Sequence, residues 1–289
     1  MSTINDKIKK LSQNLFEKIK QIRRHIHANP ELSFQEYNTS KYVSKILEEE
    51  GIEHKTGIAE TGIVGHIKGK APDSQLIALR ADMDALPILE ENDVEYKSKN
   101  EGCMHACGHD VHTSCLLGAA MIINELKDDL KGTVRLIFQP GEERIPGGAG
   151  LMIEEGVLKY PVPDAIFGQH VYPELEAGEV GLKPGKYMAS ADEIQLIVKG
   201  KGGHAAMPDK LTDPVLIASN IITGLQQVIS RNANPETPSV LSFGSFQANG
   251  STNVIPNNVE IEGTFRTFDE EWRDKAHEKI NSIAKHTAR

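Results

Sequence analysis

The residues best suited to chemistry form one cluster, Cys103 to His112, with three histidines, two cysteines and an aspartate in ten positions. Thiolate and imidazole groups are preferred ligands of zinc and similar cations. In Cys107-Gly108-His109 a glycine separates the two ligand types, so no side chain obstructs the turn that brings both to one cation. The positive end of a helix that follows the cluster would favour a thiolate at Cys107. The cluster therefore predicts a metal site. The alternatives are a structural zinc knuckle and a redox thiol pair, and the spacing of Cys103 and Cys107 argues against the latter because it is not C-x-x-C.

A pair of acids, Glu142 and Glu143, follows the apolar run that ends at Phe138. One carboxylate can stay ionised and bind a metal ion while the other carries a proton between water and a leaving amine. Successive side chains of an extended segment point in opposite directions, which would let the two divide these roles. The dipeptide taken alone also fits a solvated acidic pair, and His170, at the end of the next apolar run, also fits a structural histidine.

Two further acids, Asp82 and Asp84, lie two positions apart directly after another apolar run. Side chains two apart in a strand share one face, so both acids can orient an imidazole that binds a metal ion. We expect His112, which belongs to the same cluster, to help orient the metal ligands rather than to bind the metal ion itself.

Short apolar, β-branched runs alternate with segments of helical periodicity over the first part of the chain. This order is typical of α/β sheets, whose ligand sites form at the carboxyl ends of strands. Three of the runs are followed by the acids and by His170, so we expect these residues to converge. The predicted helices are Ile4–His27, Glu36–Gly51 and Thr113–Leu126, and the predicted strands are Ile63–Ile67, Leu76–Leu79, Val134–Phe138 and Ala165–Phe167.

The pattern changes at about Gly185 to the order βαββα, one strand short of a ferredoxin-like unit. We therefore predict two domains, a metal-binding catalytic domain over residues 1–184 and a second domain over residues 185–289. The predicted elements of the second domain are strands at Glu193–Lys199, Val240–Phe246 and Val259–Phe268 and helices at Pro214–Ile229 and Glu270–Thr287.

The composition excludes several classes of partner. A net charge of −9 over 289 residues argues against a nucleic-acid or anionic-lipid surface, because both need clustered positive potential. No run of about 18 apolar residues and no signal-peptide pattern is found. Three clustered cysteines in such a chain favour metal binding over disulfides. We predict a cytoplasmic protein that acts on a small molecule and binds neither nucleic acid nor membrane.

Seven motifs, in order over essentially the whole chain, resemble those of the zinc-exopeptidase-related amidohydrolases. This family includes hippurate hydrolase, the auxin-conjugate hydrolases, N-acetyl-diaminopimelate deacetylase and N-acyl-amino-acid amidohydrolases. The motifs are RRHIH with NPEL over residues 23–32, LRADMDALP over 79–87, MHACGHD over 104–110, FQPGEE over 138–143, FGQH over 167–170, GGHAAMP over 202–208 and NVIP over 253–256.

The resemblance implies a role for each residue that matches a motif. Cys107 would bridge two divalent metal ions, either zinc, manganese, nickel or cobalt. His109, Glu143 and His170 would complete most of the ligand set. Glu142 would be the general base that acts on the bridging water.

The resemblance also implies a zinc-exopeptidase-like α/β catalytic domain with an inserted ferredoxin-like α+β satellite, or lid, domain. His204 would be the histidine that this satellite domain offers to the scissile carbonyl, and Asn253 and Arg266 would bind the substrate carboxylate. The satellite domain would form a homodimer or higher homo-oligomer. Without the resemblance, His204 fits a glycine-rich turn as well as a site.

Three departures from the family pattern are visible. The last metal-binding histidine has no counterpart before Arg289, so we expect the C-terminal part of the fold to be missing. Asp209 stands where relatives often carry histidine, and Cys103 stands where another residue is usual.

The resulting hypothesis is metal-dependent hydrolysis of the amide bond of an N-acyl amino acid. One alternative is a catalytically inactive metal-binding or interaction protein. Another is an aminopeptidase or dipeptidase of the same superfamily, against which a cysteine at the bridging position argues.

Overall fold

The computed structural model describes residues 3–289 and divides into two compact units that meet between Ala177 and Gly178. This division lies before the predicted boundary between residues 184 and 185. Both units mix helices with sheet, as the order of apolar runs predicts. Among residues 3–289, no helix is both long enough and apolar enough to cross a membrane.

The first unit contains one five-stranded sheet in the order β1-β2-β4-β3-β5. β1 and β2 are antiparallel, as are β2 and β4, whereas β4, β3 and β5 run parallel to one another. Four of the strands coincide with predicted runs, and β1 was missed. The strands are β1 (Glu53–Ile58), β2 (Gly62–Lys68), β3 (Leu76–Asp82), β4 (Thr133–Gln139) and β5 (Ala165–Gly168).

Helices cover both faces of this sheet. Alternate residues of β4 show the two sides: Leu136 and Phe138 pack in the core formed with the first three helices, whereas Ile137 packs with Met152 of the fourth. Burial on both faces explains why β4 is mostly apolar. The helices are α1 (Ile4–Ala28), α2 (Tyr37–Glu49), α3 (His109–Glu125) and α4 (Gly148–Glu154), with a short 3-10 turn at Lys127–Asp129.

The second unit has the predicted order βαββα and adds a small two-stranded ribbon. Its main sheet is antiparallel in the order β6-β10-β8, and both helices contribute to one core with buried Phe265 and Trp272. The elements are β6 (Asp192–Lys199), β7 (Gly203–His204), α5 (Pro214–Gln227), β8 (Ser239–Gln247), β9 (Val254–Ile255), β10 (Asn258–Thr267) and α6 (Glu270–Thr287), with a 3-10 turn at Pro208–Lys210 and a π-helical turn at Val228–Asn232.

Candidate metal centre

The carboxyl ends of three parallel strands in the first unit bring the predicted residues together. β3 ends at Asp82, β4 ends just before the two glutamates, and β5 ends just before His170. Because parallel strands end at the same edge of a sheet, the side chains that follow them meet there. The first turn of α3, which begins at His109, lies at the same edge, since Thr113 Oγ1 donates a hydrogen bond to the carbonyl of Asp82 at 2.6 Å.

The turn Cys107-Gly108-His109 depends on its glycine. Gly108 adopts a left-handed conformation with φ of 85° and precedes the first residue of α3. A Cβ atom at this position would lie 2.4 Å from Cγ2 of Val171. The prediction that α3 begins at Thr113 was therefore wrong by one turn, because the helix starts directly after this glycine. Its first four residues, three polar and one valine, carry no apolar period.

His109 lies at the centre of the site and is only 1% exposed. Its Nδ1 lies 2.8 Å from the carbonyl oxygen of Asp84 and 3.2 Å from Oδ1 of the same residue. Its Nε2 has no hydrogen-bond partner among the described residues, although it is buried. It faces Glu142 Oε2 at 4.0 Å and Glu143 Oε1 at 3.8 Å. A buried imidazole nitrogen among carboxylates is costly unless it binds a cation or a proton, so the site fits a metal ion.

Cys107 and His170 complete this arrangement. Cys107 Sγ lies 3.3 Å from His170 Nε2, and His170 Nδ1 lies 2.7 Å from the carbonyl oxygen of Val171. Three overlapping groups have ligand atoms within 4.8 Å of one another, and all three contain His109. The groups are Cys107 with His109 and His170, Asp82 with His109 and His112, and His109 with Glu142 and Glu143.

Glu142 and Glu143 do not point in opposite directions, so this part of the prediction was wrong. Both carboxylates approach His109, because the segment after β4 bends rather than continuing as a strand. The bend begins at Gly141, whose φ of 54° and close approach to the Phe34 ring leave no room for a side chain. The Glu143 N–H then donates to Asp84 Oδ2 at 2.9 Å, and this hydrogen bond holds the backbone at Glu143 in place.

The electrostatics of the site also differ from the prediction at Cys107. Burial, together with a hydrogen bond to Glu143 and the negative charges of Glu143, Glu142 and Asp82, raises the pKa of the Cys107 thiol to about 12. In the protein alone, burial and the nearby acids thus outweigh the helix terminus that was expected to favour a thiolate. Burial and the charge of Glu143 also raise the pKa of Glu142 above its usual range.

The predicted supporting acids each bind one histidine. Asp82 Oδ1 lies 2.6 Å from His112 Nδ1, and His112 Nε2 accepts the N–H of Val171 at 2.9 Å. Both nitrogens of His112 are therefore engaged within the protein. Asp84 binds His109, as described above. Burial by itself would raise the pKa of Asp82. The hydrogen bond to His112 and the positive charges of Arg80 and the histidines outweigh this effect and lower the pKa to about 2.

Three residues that support the site were not predicted. Ser33 Oγ donates to Asp84 Oδ2 at 2.6 Å, and Arg80 donates to Asp82 Oδ2 at 2.7 Å. Fully buried Glu36 accepts the N–H of Gly141 at 2.8 Å and so holds the start of the bend. Arg80 lies inside the LRADMDALP motif, which is a signal that could have identified it. Ser33 and Glu36 carry no comparable signal.

The remaining predicted residues belong to the second unit. His204 lies on β7 and Asn253 directly precedes β9, and the N–H of Ala205 donates to the carbonyl of Asn253 at 3.0 Å. His204 is exposed, and its Nδ1 accepts the N–H of Ala206 at 3.1 Å. Arg266 lies apart from the ribbon, on β10, where it lines a hollow of about 530 Å³ with Gln195 and Thr264.

Comparison with known proteins gives a consistent result. The chain is 47% identical over 264 residues to an N-acetylcysteine deacetylase of Bacillus subtilis, covering 91% of this chain and 68% of that protein. It is 42% identical over 280 residues to an N-acyl-L-amino acid amidohydrolase of Geobacillus stearothermophilus, covering 97% of this chain and 75% of that protein. A second Bacillus subtilis deacetylase is matched over only 62% of its length, so the chain spans about two thirds of such relatives.

A solved structure has the same fold. The crystal structure of a dinuclear metal binding peptidase of the M20 family from Bacillus subtilis superimposes with a TM-score of 0.77 at 42% identity, covering 96% of this chain and 71% of that one. The model of peptidase family M20/M25/M40 matches residues 78–288. These matches confirm the resemblance seen in the motifs. The chain therefore belongs to peptidase family M20/M25/M40.

Proposed function

We propose that this protein hydrolyses the amide bond of N-acyl amino acids with the help of divalent metal ions. The observation that carries the proposal is buried His109 Nε2, which has no hydrogen-bond partner among residues 3–289 and faces two carboxylates beside Cys107 and His170. The relatives named as an N-acetylcysteine deacetylase and an N-acyl-L-amino acid amidohydrolase support this substrate class.

Four residues would hold the metal ions: Cys107, His109, Glu143 and His170. Their thiolate, imidazole and carboxylate groups accept zinc, manganese, nickel or cobalt. A pair of such cations would lower the pKa of an attacking water and polarise the scissile carbonyl. Asp84 would keep His109 oriented through Nδ1, and Asp82 with His112 would support the same edge of the sheet.

Glu142 is the proposed proton carrier. Its raised pKa brings it closer to neutral pH, which favours both taking and giving a proton. Its side chain is 42% exposed, so it can reach water and substrate. Glu142 accepts a proton from the water that attacks the acyl carbon and delivers it to the amine nitrogen as the C–N bond breaks. The products are a carboxylate and a free amino acid.

The second unit would contribute substrate-binding groups and self-association. His204 would donate a hydrogen bond to the carbonyl oxygen, and Asn253 and Arg266 would bind the substrate carboxylate. The edge strands β6 and β8 carry exposed apolar residues, among them Ile197 and Val240, which supports a homodimer or higher homo-oligomer formed through this unit. A cysteine that must stay reduced to bind metal supports a reducing compartment such as the cytoplasm.

Metal analysis combined with a substrate panel tests the proposal. The purified protein is loaded separately with zinc, manganese, nickel or cobalt and assayed with N-acetyl and N-benzoyl amino acids and with dipeptides. Two metal ions per chain and release of free amino acid from the acylated substrates are expected. Metal binding without turnover of any substrate would favour an inactive metal-binding protein, and turnover of dipeptides alone would favour a peptidase.

A further inference from the structure

A buried cluster of charged side chains includes Asp110, which follows His109 in the first turn of α3. His27 Nδ1 lies 2.8 Å from Asp110 Oδ2, and His27 Nε2 lies 3.1 Å from Glu90 Oε1. Arg23 Nε lies 2.7 Å from the same oxygen of Asp110. His27, Glu90 and Asp110 are all buried. One imidazole thus links two buried carboxylates that are distant in sequence.

The charges of this cluster balance. Each nitrogen of His27 faces a carboxylate, which is the arrangement of a doubly protonated ring. The hydrogen bond to Asp110 raises the pKa of His27, and the bond to Glu90 adds to this effect against the opposing effect of burial. Arg23 and His27 then compensate Asp110 and Glu90. Buried carboxylates are tolerated only when they are paired in this way, so the cluster depends on His27.

The two carboxylates hold the two sides of the metal-binding turn. Asp110 follows His109 directly in the first turn of α3. Glu90 accepts the N–H of Ser98 at 2.7 Å, and Ser98 Oγ donates to the carbonyl of Cys103 at 2.7 Å. Glu90 therefore fixes the chain that leads to Cys107.

This support is needed because the segment between β3 and α3, residues 83–108, contains no helix and no strand. Irregular segments longer than about 15 residues are uncommon in compact domains and are usually functional. Isolated bridges, such as that between Leu86 and Met104, and scattered backbone hydrogen bonds organise this one. Side-chain contacts such as those of Glu90 and Ser98 therefore help to place its last residues, which include Cys107.

We propose that His27 is a positioning residue of the metal centre, acting through Asp110 on His109 and through Glu90 on the segment that carries Cys107. The inference rests on the proposed metal site. It assigns a role to the RRHIH motif, which supplies none of the proposed ligands. Partners that orient metal ligands typically change metal affinity by about 10- to 100-fold when they are replaced.

Cobalt binding tests the role of His27. The metal-free protein is titrated with Co²⁺, the thiolate-to-cobalt absorption band is recorded, and affinity is measured by competition with a chelator. We expect His27→Gln and Glu90→Gln to bind Co²⁺ about 10- to 100-fold more weakly, with a shifted or weakened band. The matched control is His25→Gln, since His25 lies two residues away on α1 and stacks on Tyr42 at 4.0 Å rather than joining the cluster.

Circular dichroism of each metal-free variant separates positioning from folding. Glu90→Gln keeps the shape of the side chain and carries the test if His27→Gln does not fold. A folded variant of either kind with the cobalt affinity and spectrum of His25→Gln would overturn the proposal. Failure of the wild-type protein to bind cobalt would instead overturn the metal centre itself, together with the role of His27.

Discussion

Asp84 contacts His109 Nδ1 twice, through its backbone carbonyl at 2.8 Å and through its carboxylate at 3.2 Å. The first contact requires a proton on Nδ1, which leaves the lone pair of the neutral ring on Nε2. That nitrogen faces Glu142 and Glu143. The fold thus selects the form of His109 that can bind a metal ion, and it does so mainly with a main-chain atom.

Replacing the Asp84 carboxylate should therefore weaken metal binding without abolishing it. Asp84→Asn keeps the backbone contact to His109 but loses the carboxylate, which also binds Ser33 and the N–H of Glu143. We expect metal affinity to fall about 10- to 100-fold, measured by chelator competition. Asp93→Asn, an exposed change on the same irregular segment, is the control and should bind metal like the wild type. Equal affinities for the two variants would contradict the proposed role of Asp84.

Glu142→Gln should separate metal binding from turnover. The amide cannot accept a proton, and Glu142 is not among the proposed ligands, so metal content should stay at the wild-type value. We expect kcat for an N-acyl amino acid to fall by about 10²- to 10⁴-fold. Exposed Glu154→Gln on α4 serves as the control. A Glu142→Gln enzyme with near wild-type kcat would show that another group carries the proton.

Gly108→Ala should disrupt metal binding more than Gly102→Ala does, although both place an alanine in a left-handed conformation. Gly102 has φ of 74° with nothing near its Cβ position, whereas a Cβ at Gly108 would meet Val171 at 2.4 Å. The left-handed conformation costs about 1 kcal/mol in both variants, and overpacking adds about 1 to 3 kcal/mol at Gly108 alone. Elemental analysis should find less bound metal in Gly108→Ala than in Gly102→Ala.

The double variant Gly108→Ala with Val171→Ala tests the cause of that effect. Removing Cγ2 of Val171 leaves its Cβ as the nearest atom, at 3.6 Å from the position of the new methyl group. We expect metal content to recover toward that of Gly102→Ala. No recovery would mean that contact with Val171 is not what makes glycine necessary at this position.

The ion pair between Asp192 and Arg273 should give the second unit a stability that depends on pH. Burial raises the pKa of Asp192, but bonds from Arg273 at 2.6 to 3.1 Å and the charge of His277 outweigh it and lower the pKa. Because the pKa of Asp192 is lower in the folded than in the unfolded state, the ion pair contributes fully to stability above the unfolded pKa of about 4. That contribution is lost as the pH falls through the folded pKa. Asp192→Asn should lower the free energy of unfolding by about 1 to 2 kcal/mol at pH 7.

Trp272 makes this measurement specific to the second unit. It is the only tryptophan of the chain and lies in that unit's core, so its fluorescence reports the unfolding of this unit alone. Asp274→Asn, an exposed change on the same helix, is the control. The difference between the two variants should shrink below pH 4, and a difference that stays constant down to pH 3 would argue against the ion pair as its source.

The central strands of the sheet were predictable because β2, β3 and β4 are largely buried. Runs such as Val134–Phe138 are mostly apolar, which marks a buried strand in the sequence. β1 was missed because Glu53, His54 and Lys55 are polar and because, at the edge of the sheet, only its last residue, Ile58, is buried. Short, glycine-rich α4 gave no periodic signal either.

The sequence predicted which residues come together in the site, but it did not predict the direction of each side chain. Parallel strands bring their carboxyl ends together, so the convergence of Asp82, the glutamates and His170 follows from topology. The direction of each side chain depends on backbone conformations that residue types do not reveal, such as the bend after Gly141. The contact of Ser33 with Asp84 joins residues 51 positions apart and depends on the tertiary fold alone.

His112 links the ends of β3 and β5 beyond their last backbone pair, Arg80 with Gly168. Its imidazole is hydrogen-bonded to Asp82 through one nitrogen and to the N–H of Val171 through the other, so it takes the place of one more backbone pair between the two strands. A side chain in this position ties two strands that no longer touch through their main chains. A change at residue 112 would thus remove the link between these two strand ends, although Asp82 would stay paired with Gln139 of β4.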